Sequence, residues 1–452
     1  MKKLIKAIVP LLLLTSCSSQ AVFVASNPGF QDASQQVSSN TKPIPDLNNL
    51  EPFKLNSPNK PFNTNPTDAL DANYINSLRE FALDFIQEMH KEELDTENPV
   101  FSPYSIATCY SMADDGADGN TKAELDQLLH YDGSFDYRNA IKNGLLKNAI
   151  EDEEKNTYVN VAQSAWINEK TYKHGFDSDY SKILEDYYFA EFYKGQLSQM
   201  YNEVADWINN KTKNYLDVKG EDFRGMLQDA IFALINTVYF KSNWLTAFDP
   251  AGNTSEKFYN LDGSSLATTF MQKIEKEKYY YTCSDYRITS IPFEHGLEFR
   301  ILLPNAQTNY SEILDNRTAL NKMLTLPLNG AMTDEEGVTT KDDIQFMIPQ
   351  FKARTSYDLV KMFTNMGVID PFTPGVANFP PIGGYISASV HDAGFEINNQ
   401  GGEGAAYTII VFSKGAGLDY LTFNCNRPFA YAVTTSDGIP LFMGKVTNFK
   451  QA

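Results

Sequence analysis

Residues Ile231–Phe240 read Ile-Phe-Ala-Leu-Ile-Asn-Thr-Val-Tyr-Phe, a long apolar and β-branched run. A strand with one wet face alternates apolar with polar residues, so a run this continuous predicts a central strand buried on both faces. Covering both faces takes further layers of helix or sheet, and 30 Phe and 25 Tyr in 452 residues supply the bulk. Between Tyr74 and Glu92, Leu78, Phe81, Ala82, Phe85, Ile86 and Met89 recur at helical spacing and predict one amphipathic layer helix. Asn98 and the Ser102-Pro103 step announce a second helix, and Thr121 with Glu124 three residues on reads as a capping box. Arg300–Pro304 and Leu441–Val446 are further strand candidates. A mixed α+β fold with large sheets follows.

The first 66 residues belong to a different kind of chain. Lys2, Lys3 and Lys6 precede the apolar run Ala7–Leu14, which is too short for the roughly 20 residues that span a bilayer. The run closes in Leu14-Thr15-Ser16-Cys17, similar to a bacterial lipobox, so 1–16 reads as a lipoprotein signal peptide with Cys17 as the lipidated first residue. Acyl chains there anchor a protein to a membrane. The expected location is the bacterial cell envelope, lipid-anchored at the outer membrane or cell surface. Residues 17–66 are rich in Ser, Asn, Gln and Pro without helical or strand period, and read as a disordered stalk. From Thr67 to Ala452 helix and strand signals alternate without another such break, which predicts one large domain.

Motifs for catalysis are missing from the chain. Its formal net charge of −19 repels phosphate backbones and argues against nucleic acid. None of His90, His130, His174, His295 or His391 sits in a zinc-ligand spacing, and no Gly-x-Ser-x-Gly elbow occurs. Gly401-Gly402-Glu403-Gly404 lacks the Lys-Ser/Thr end of a phosphate loop and carries an acid. Glu151-Asp152-Glu153-Glu154 reads as a solvated face. Cys109, Cys283 and Cys425 are an odd set for an exported disulfide framework, and Cys109 and Cys425 read as buried free thiols. No metal, cofactor or enzymatic activity is expected, and the weight moves to binding.

Several ordered blocks resemble the serpin family of protease inhibitors. Asn98-Pro99-Val100-Phe101-Ser102-Pro103-Tyr104-Ser105-Ile106 is similar to the family's early signature, and Asp115–Thr121 to the Gly-Ala-x-Gly-x-Thr turn after it. Asn236–Trp244 with Phe248 and Thr254 resembles the Asn-x-x-Tyr-Phe-Lys-Gly-x-Trp block, and Ile348–Lys352 the Pro-x-Phe strand. Phe423–Phe429 and Leu441–Asn448 are similar to the closing strands. The resemblance runs from about residue 70 to 452. It implies a single monomeric domain with three β-sheets, about nine helices and an exposed reactive-centre loop. It also implies that Asn236 and Trp244 sit where the loop first enters the sheet.

Residues in the loop region carry a physical argument of their own. Ile382–Arg427 contains no Pro in a chain that has 21, so nothing there removes a ladder donor. Side chains alternate faces along a strand. In Gly401–Ser413, one face carries Gly402, Gly404, Ala406, Thr408, Ile410 and Phe412, uncharged and small at its start. The other carries Glu403 and Ala405, so the one charge of the segment stays off the buried face. The segment reads as a strand in waiting. The resemblance implies its use: a protease attacks the loop as substrate, and the cleaved loop inserts into the large sheet with the acyl-enzyme attached.

The hinge departs from the family's Glu-Glu-Gly-Thr-Glu and alanines, reading Asn399-Gln400-Gly401-Gly402-Glu403-Gly404-Ala405-Ala406. The added glycines raise the ordering cost and predict slower insertion. The reactive bond is placed at Lys414-Gly415, which suits trypsin-like proteases. Phe412 and Ala416 mark the alternatives, after Phe412 for a chymotrypsin-like pocket and Gly415-Ala416 for an elastase-like one. The function expected is suicide inhibition of serine, and also cysteine, endopeptidases. The competing expectation is a non-inhibitory surface binding protein that shares the fold.

Overall fold

A computed structural model describes residues 11–15, 53–64, 70–91, 98–169, 177–402 and 420–450. Ten α-helices are found among them, one more than expected. The central sheet has the strand order 351–358, 385–397, 11–15, 230–243, 157–168, 191–195 and 53–54. Ala230–Asn243 lies in its middle, and its side chains are buried except for three partly exposed ones, Val238, Lys241 and Asn243. Leu234 and Phe232 face the main core, whereas Ala233 and Ile235 face a second core under helices Tyr201–Lys211 and Gly220–Leu227. Both faces are covered, as the unbroken apolar run demands.

The second sheet system has ten strands. Its two longest strands, Ser265–Cys283 and Gly337–Pro349, pair along most of their length, but their register slips between Asp342 and Ile344. Glu277 takes a positive φ of 52° beside that slip. A bulge of this kind bends a sheet, so the system divides into two and the molecule has three sheets.

Helix Pro103–Asp114 is buried along its whole length. Ser102 caps it, accepting from Ser105 N at 3.2 Å, and Pro103 takes the first turn, where its missing N–H costs nothing. Helix Ala72–Lys91 buries Leu78, Phe81, Ala82, Phe85, Ile86 and Met89. Thr121 is not a cap. Asp118 caps helix Gly119–Leu128, because Gly119 at φ 59° turns the chain into the helix three residues earlier, and Thr121 Oγ1 accepts from Asn378 N instead.

Two parts of the N-terminal segment join the central sheet. Leu11–Thr15, inside the expected signal peptide, pairs antiparallel with both the 230–243 and 385–397 strands. Phe53–Lys54 pairs with the edge strand Glu191–Gly195. Asn63 then bonds the 150–152 strand through Asn63 N to Ala149 O and Glu151 N to Asn63 Oδ1, so residues 53–64 are docked where a disordered stalk was expected. A strand edge offers unpaired backbone groups to any extended segment, and no hydrophobic pattern is needed to take them.

Candidate functional site

The site is a slot between the 230–243 and 385–397 strands. At its top the chain leaves Ile397 and reverses through Asn398–Gln400. Asn398 N donates to Gly401 O at 2.9 Å, and Asn398 Oδ1 accepts from Gln400 N at 2.9 Å. Trp244 holds the turn from the side: its backbone N donates to Gln400 O at 2.8 Å, and its Nε1 donates to Asn398 O at 2.9 Å. The indole stacks on Phe293 with ring centroids 4.1 Å apart. Asn399 exchanges two amide hydrogen bonds with Asn253 and accepts from Gln350 Nε2 at 2.5 Å.

Gly401 and Gly402 then turn down into the slot, antiparallel to the central strand, opposite Asn243 and Ser242. The hinge therefore starts partly inserted. Gly401 has φ 155°, and a Cβ there would lie 2.0 Å from Ser242 O, so only glycine fits. A Cβ on Gly402 would meet the Phe240 ring at 2.9 Å.

Below the hinge, residues 236–241 and 391–396 face each other with no strand of the described residues between them. Phe240 and Phe395 close the core side of this stretch, their ring centroids 6.1 Å apart. A cavity of about 20 Å³ remains, bounded by Val238, Phe240, His391, Phe395 and Gly402. Polar groups are stranded along it. Asn236 Oδ1 accepts from Ser105 Oγ at 2.6 Å, but its buried Nδ2 has no partner among the described residues. His391 Nε2 accepts from Ser102 N at 2.9 Å, which leaves Nδ1 as the protonated nitrogen, also buried without a partner. Burial alone lowers the His391 pKa to about 3, so the ring is neutral. On the other face, burial raises Asp392 to about 6 against the pull of Arg354, whose Nη2 lies 3.1 Å from Oδ2; Oδ1 has no partner. Buried polar groups left open in this way each cost on the order of 1–3 kcal/mol. The lower part of the slot, opposite 230–235 and 385–390, is filled by Leu11–Thr15.

The family described as Serpin (serine protease inhibitor) matches residues 76–449. This chain belongs to the serpin family. It is 25% identical to mouse antithrombin-III over 399 residues, covering 81% of this chain and 80% of the relative, and 28% identical to mouse neuroserpin over 383 residues, covering 78% and 87%. The thermophilic serpin tengpin in its native state superposes with a TM-score of 0.69 at 23% identity, over 84% of this chain and 96% of tengpin. The α+β serpin fold with three sheets is the one described above.

The residues singled out from the sequence fall at different levels of this serpin's central sheet. Gly401 and Gly402 lie at the mouth of the slot, and Trp244 lies beside them. Asn236 does not join Trp244 there. It lies six residues further down an extended strand, about 20 Å from Ser242 at the usual rise. Glu403, Gly404, Ala405, Ala406, Thr408, Phe412, Lys414, Gly415, Ala416 and Cys17 lie outside the described residues. His391, which the sequence marks only as outside any zinc-ligand spacing, is the second polar group of the slot, and Phe240 and Phe395 were missed because a core ring gives no sequence signal of what it faces. Cys109 and Cys425 are buried thiols outside any disulfide, and burial pushes Cys425 up to about 12.

Proposed function

We propose that this serpin is a suicide-substrate inhibitor of serine endopeptidases that traps the acyl-enzyme by inserting its cleaved loop into the central sheet. The observation that carries the reading is the slot, open below a hinge that has already started down it. Continuing the pairing of Gly401 with Asn243 and Gly402 with Ser242 assigns every following residue a place. Gly404 falls opposite Phe240 and Ala406 opposite Val238, small residues where the rings crowd. Thr408 falls opposite Asn236. Leu11 occupies the position of residue 409, opposite Ile235, and itself faces Val390. Thr408 therefore comes between Asn236 and His391, the two groups whose donors lack partners. Glu403 comes opposite Lys241 on the other face, with Glu396 on its far side. Gly402 and Gly404, departures from the family pattern, fit the space left by Phe240 and Phe395.

Each residue inserted between two strands adds two backbone hydrogen bonds, each about 1 kcal/mol net. The released protein gains them only after cleavage frees the loop to follow its hinge, so the stored difference does the work on the protease. On this reading Lys414-Gly415 is the bond presented to a trypsin-like protease, and Cys17 anchors the processed chain to the bacterial envelope. The 11–15 segment leaves with the signal peptide and vacates the lower slot.

Incubation with trypsin, chymotrypsin and elastase followed by denaturing gels tests the proposal. A protease-sized covalent adduct is expected with trypsin, and mass spectrometry of the released C-terminal peptide is expected to begin at Gly415. Cleavage without adduct by all three proteases would favour the non-inhibitory binding protein.

A further inference from the structure

We infer that a pocket at the edge of the central sheet, roofed by residues 58–62, binds a small organic carboxylate with an apolar body. This inference stands apart from the inhibitor reading and survives its failure.

The pocket arises from a break in strand pairing. On one edge of Thr157–Asn168, strand Ile150–Asp152 pairs as far as Val159 and strand Glu191–Gly195 begins at Ser164. Residues 160–163 have no strand partner on that edge. The docked N-terminal segment bridges the break: Leu55 N donates to Phe192 O at 2.8 Å on one side, and Asn63 N to Ala149 O at 2.8 Å on the other. Beneath it lies a cavity of about 210 Å³ lined by Lys60, Phe62, Asn160, Gln163, Phe189 and Lys211, among others. A single water needs ~10–15 Å³ on this measure, so there is room for a ligand of roughly ten non-hydrogen atoms.

Its polar groups are unbalanced. Glu191 is the one acid in the lining, and its oxygens are already taken: Lys54 Nζ at 2.8 Å and Lys211 Nζ at 3.1 Å reach Oε1, and Trp207 Nε1 at 2.7 Å and Tyr193 OH at 2.9 Å reach Oε2. Lys60 has no carboxylate partner among the described residues. Its Nζ donates to Asn160 Oδ1 at 2.7 Å and to Val161 O at 2.5 Å, which leaves the third N–H of the ammonium. The lining thus holds two ammonium groups, Lys60 and Lys211, and one saturated carboxylate, in a chain of net charge −19. Gln163 supplies the second, independent sign. The residue is 2% exposed and lines the cavity, yet neither its Nε2 nor its Oε1 has a partner among the described residues. An amide is rarely buried with both ends open. A ligand carboxylate satisfies the set, accepting from Lys60, Lys211 and Gln163 Nε2, while Phe62 and Phe189 flank an apolar body.

The test uses the full chain with benzoate and hexanoate as probes, and benzamide as the neutral shape control, followed by titration calorimetry. One site is expected for at least one of the two acids with a Kd of about 1 mM or tighter, and at least tenfold weaker binding of benzamide. Lys60→Met should weaken acid binding tenfold or more, and Lys211→Met is the second variant should the first loosen the 53–64 segment. Burial, reinforced by Lys211, lowers the Lys60 pKa to about 7. A bound carboxylate favours the charged ammonium, so binding at a pH above this value should take up a proton and give a buffer-dependent enthalpy. The groups facing Lys60 are Lys211 on helix Tyr201–Lys211 and Glu191 on its strand, with Lys54 beyond Glu191, and Lys60→Met should abolish the proton uptake. Failure of both acids to bind, equal binding of benzamide, or acid binding undiminished in both lysine variants overturns the inference.

Discussion

Thr408→Arg is the substitution that separates the slot from a merely permissive sheet edge. By continuation of the hinge register, residue 408 comes between Asn236 and His391 on the core-facing side, where Asn236 is 0% and His391 1% exposed. No carboxylate lines that side: the groups described there are the Asn236 amide, Ser105 Oγ and a His391 ring that burial keeps neutral. An unpaired guanidinium buried among them costs several kcal/mol, against 0.2–1 kcal/mol for any single cross-strand pair. If half of a ~4 kcal/mol cost is felt while the strand is inserting, insertion slows on the order of 30-fold. Hydrolysis of the acyl-enzyme then outruns trapping. Tyr407→Arg is the contrast, one residue away on the opposite face, where Asp392 Oδ1 lacks a partner. With trypsin on a denaturing gel, Thr408→Arg should give cleaved inhibitor and free protease, whereas Tyr407→Arg should keep a substantial share of the covalent adduct. Adduct formation by Thr408→Arg at the unsubstituted level, or equal loss in both variants, refutes the register.

Three further outcomes follow from the same geometry. Cys17→Ala, which would block the proposed lipoprotein processing, should retain Leu11–Thr15 opposite 230–235 and 385–390 and so give cleavage without adduct; Leu13→Pro in that background removes a ladder donor and should restore the adduct on the same gel. His391→Gln should flatten the dependence of stability on pH. With the folded ring held at about 3 and the unfolded one near ~6.5, the unfolded chain takes up the proton first as pH falls, so this contribution is whole above about 6.5 and is lost down to about 3, a difference of roughly 5 kcal/mol between wild type and variant by urea unfolding. Trp244→Phe keeps an aromatic ring against Phe293 but removes the donation to Asn398 O, and should lower the urea midpoint by an amount equivalent to about 1–3 kcal/mol.

What was legible in the sequence followed from periodicity and from glycine. The run Ile231–Phe240 declared a strand with two covered faces because no polar residue interrupts either face often enough to meet water, and Ala230–Asn243 is that strand. The alternation after Gly401 sets Glu403 on one face and Gly404, Ala406 and Thr408 on the other, the division that the register proposed from the pairing of Gly401 and Gly402 would follow. Of the glycines only half the account was legible. Gly402 and Gly404 read as an entropic penalty on insertion, because a sequence records the freedom a residue lacks a side chain to restrict but not the ring that stands beside Gly402. Phe240 stands 2.9 Å from where a Cβ on Gly402 would be, and it meets Phe395 at 6.1 Å across the slot. Any larger residue would have to displace a core ring to pair here, which costs more than the ~1 kcal/mol that glycine loses to disorder. Residues 53–64 escaped notice for the complementary reason. Their attachment is made by backbone groups, by Asn56 and Asn63 amides and by Lys60, none of which needs a periodic pattern, so a composition that elsewhere signals a loose stalk is here the lid of a charged pocket. Polar segments that dock on an open strand edge will be missed wherever the edge is not itself foreseen, and the edge at 160–163 exists only because two strands far apart in sequence stop short of each other.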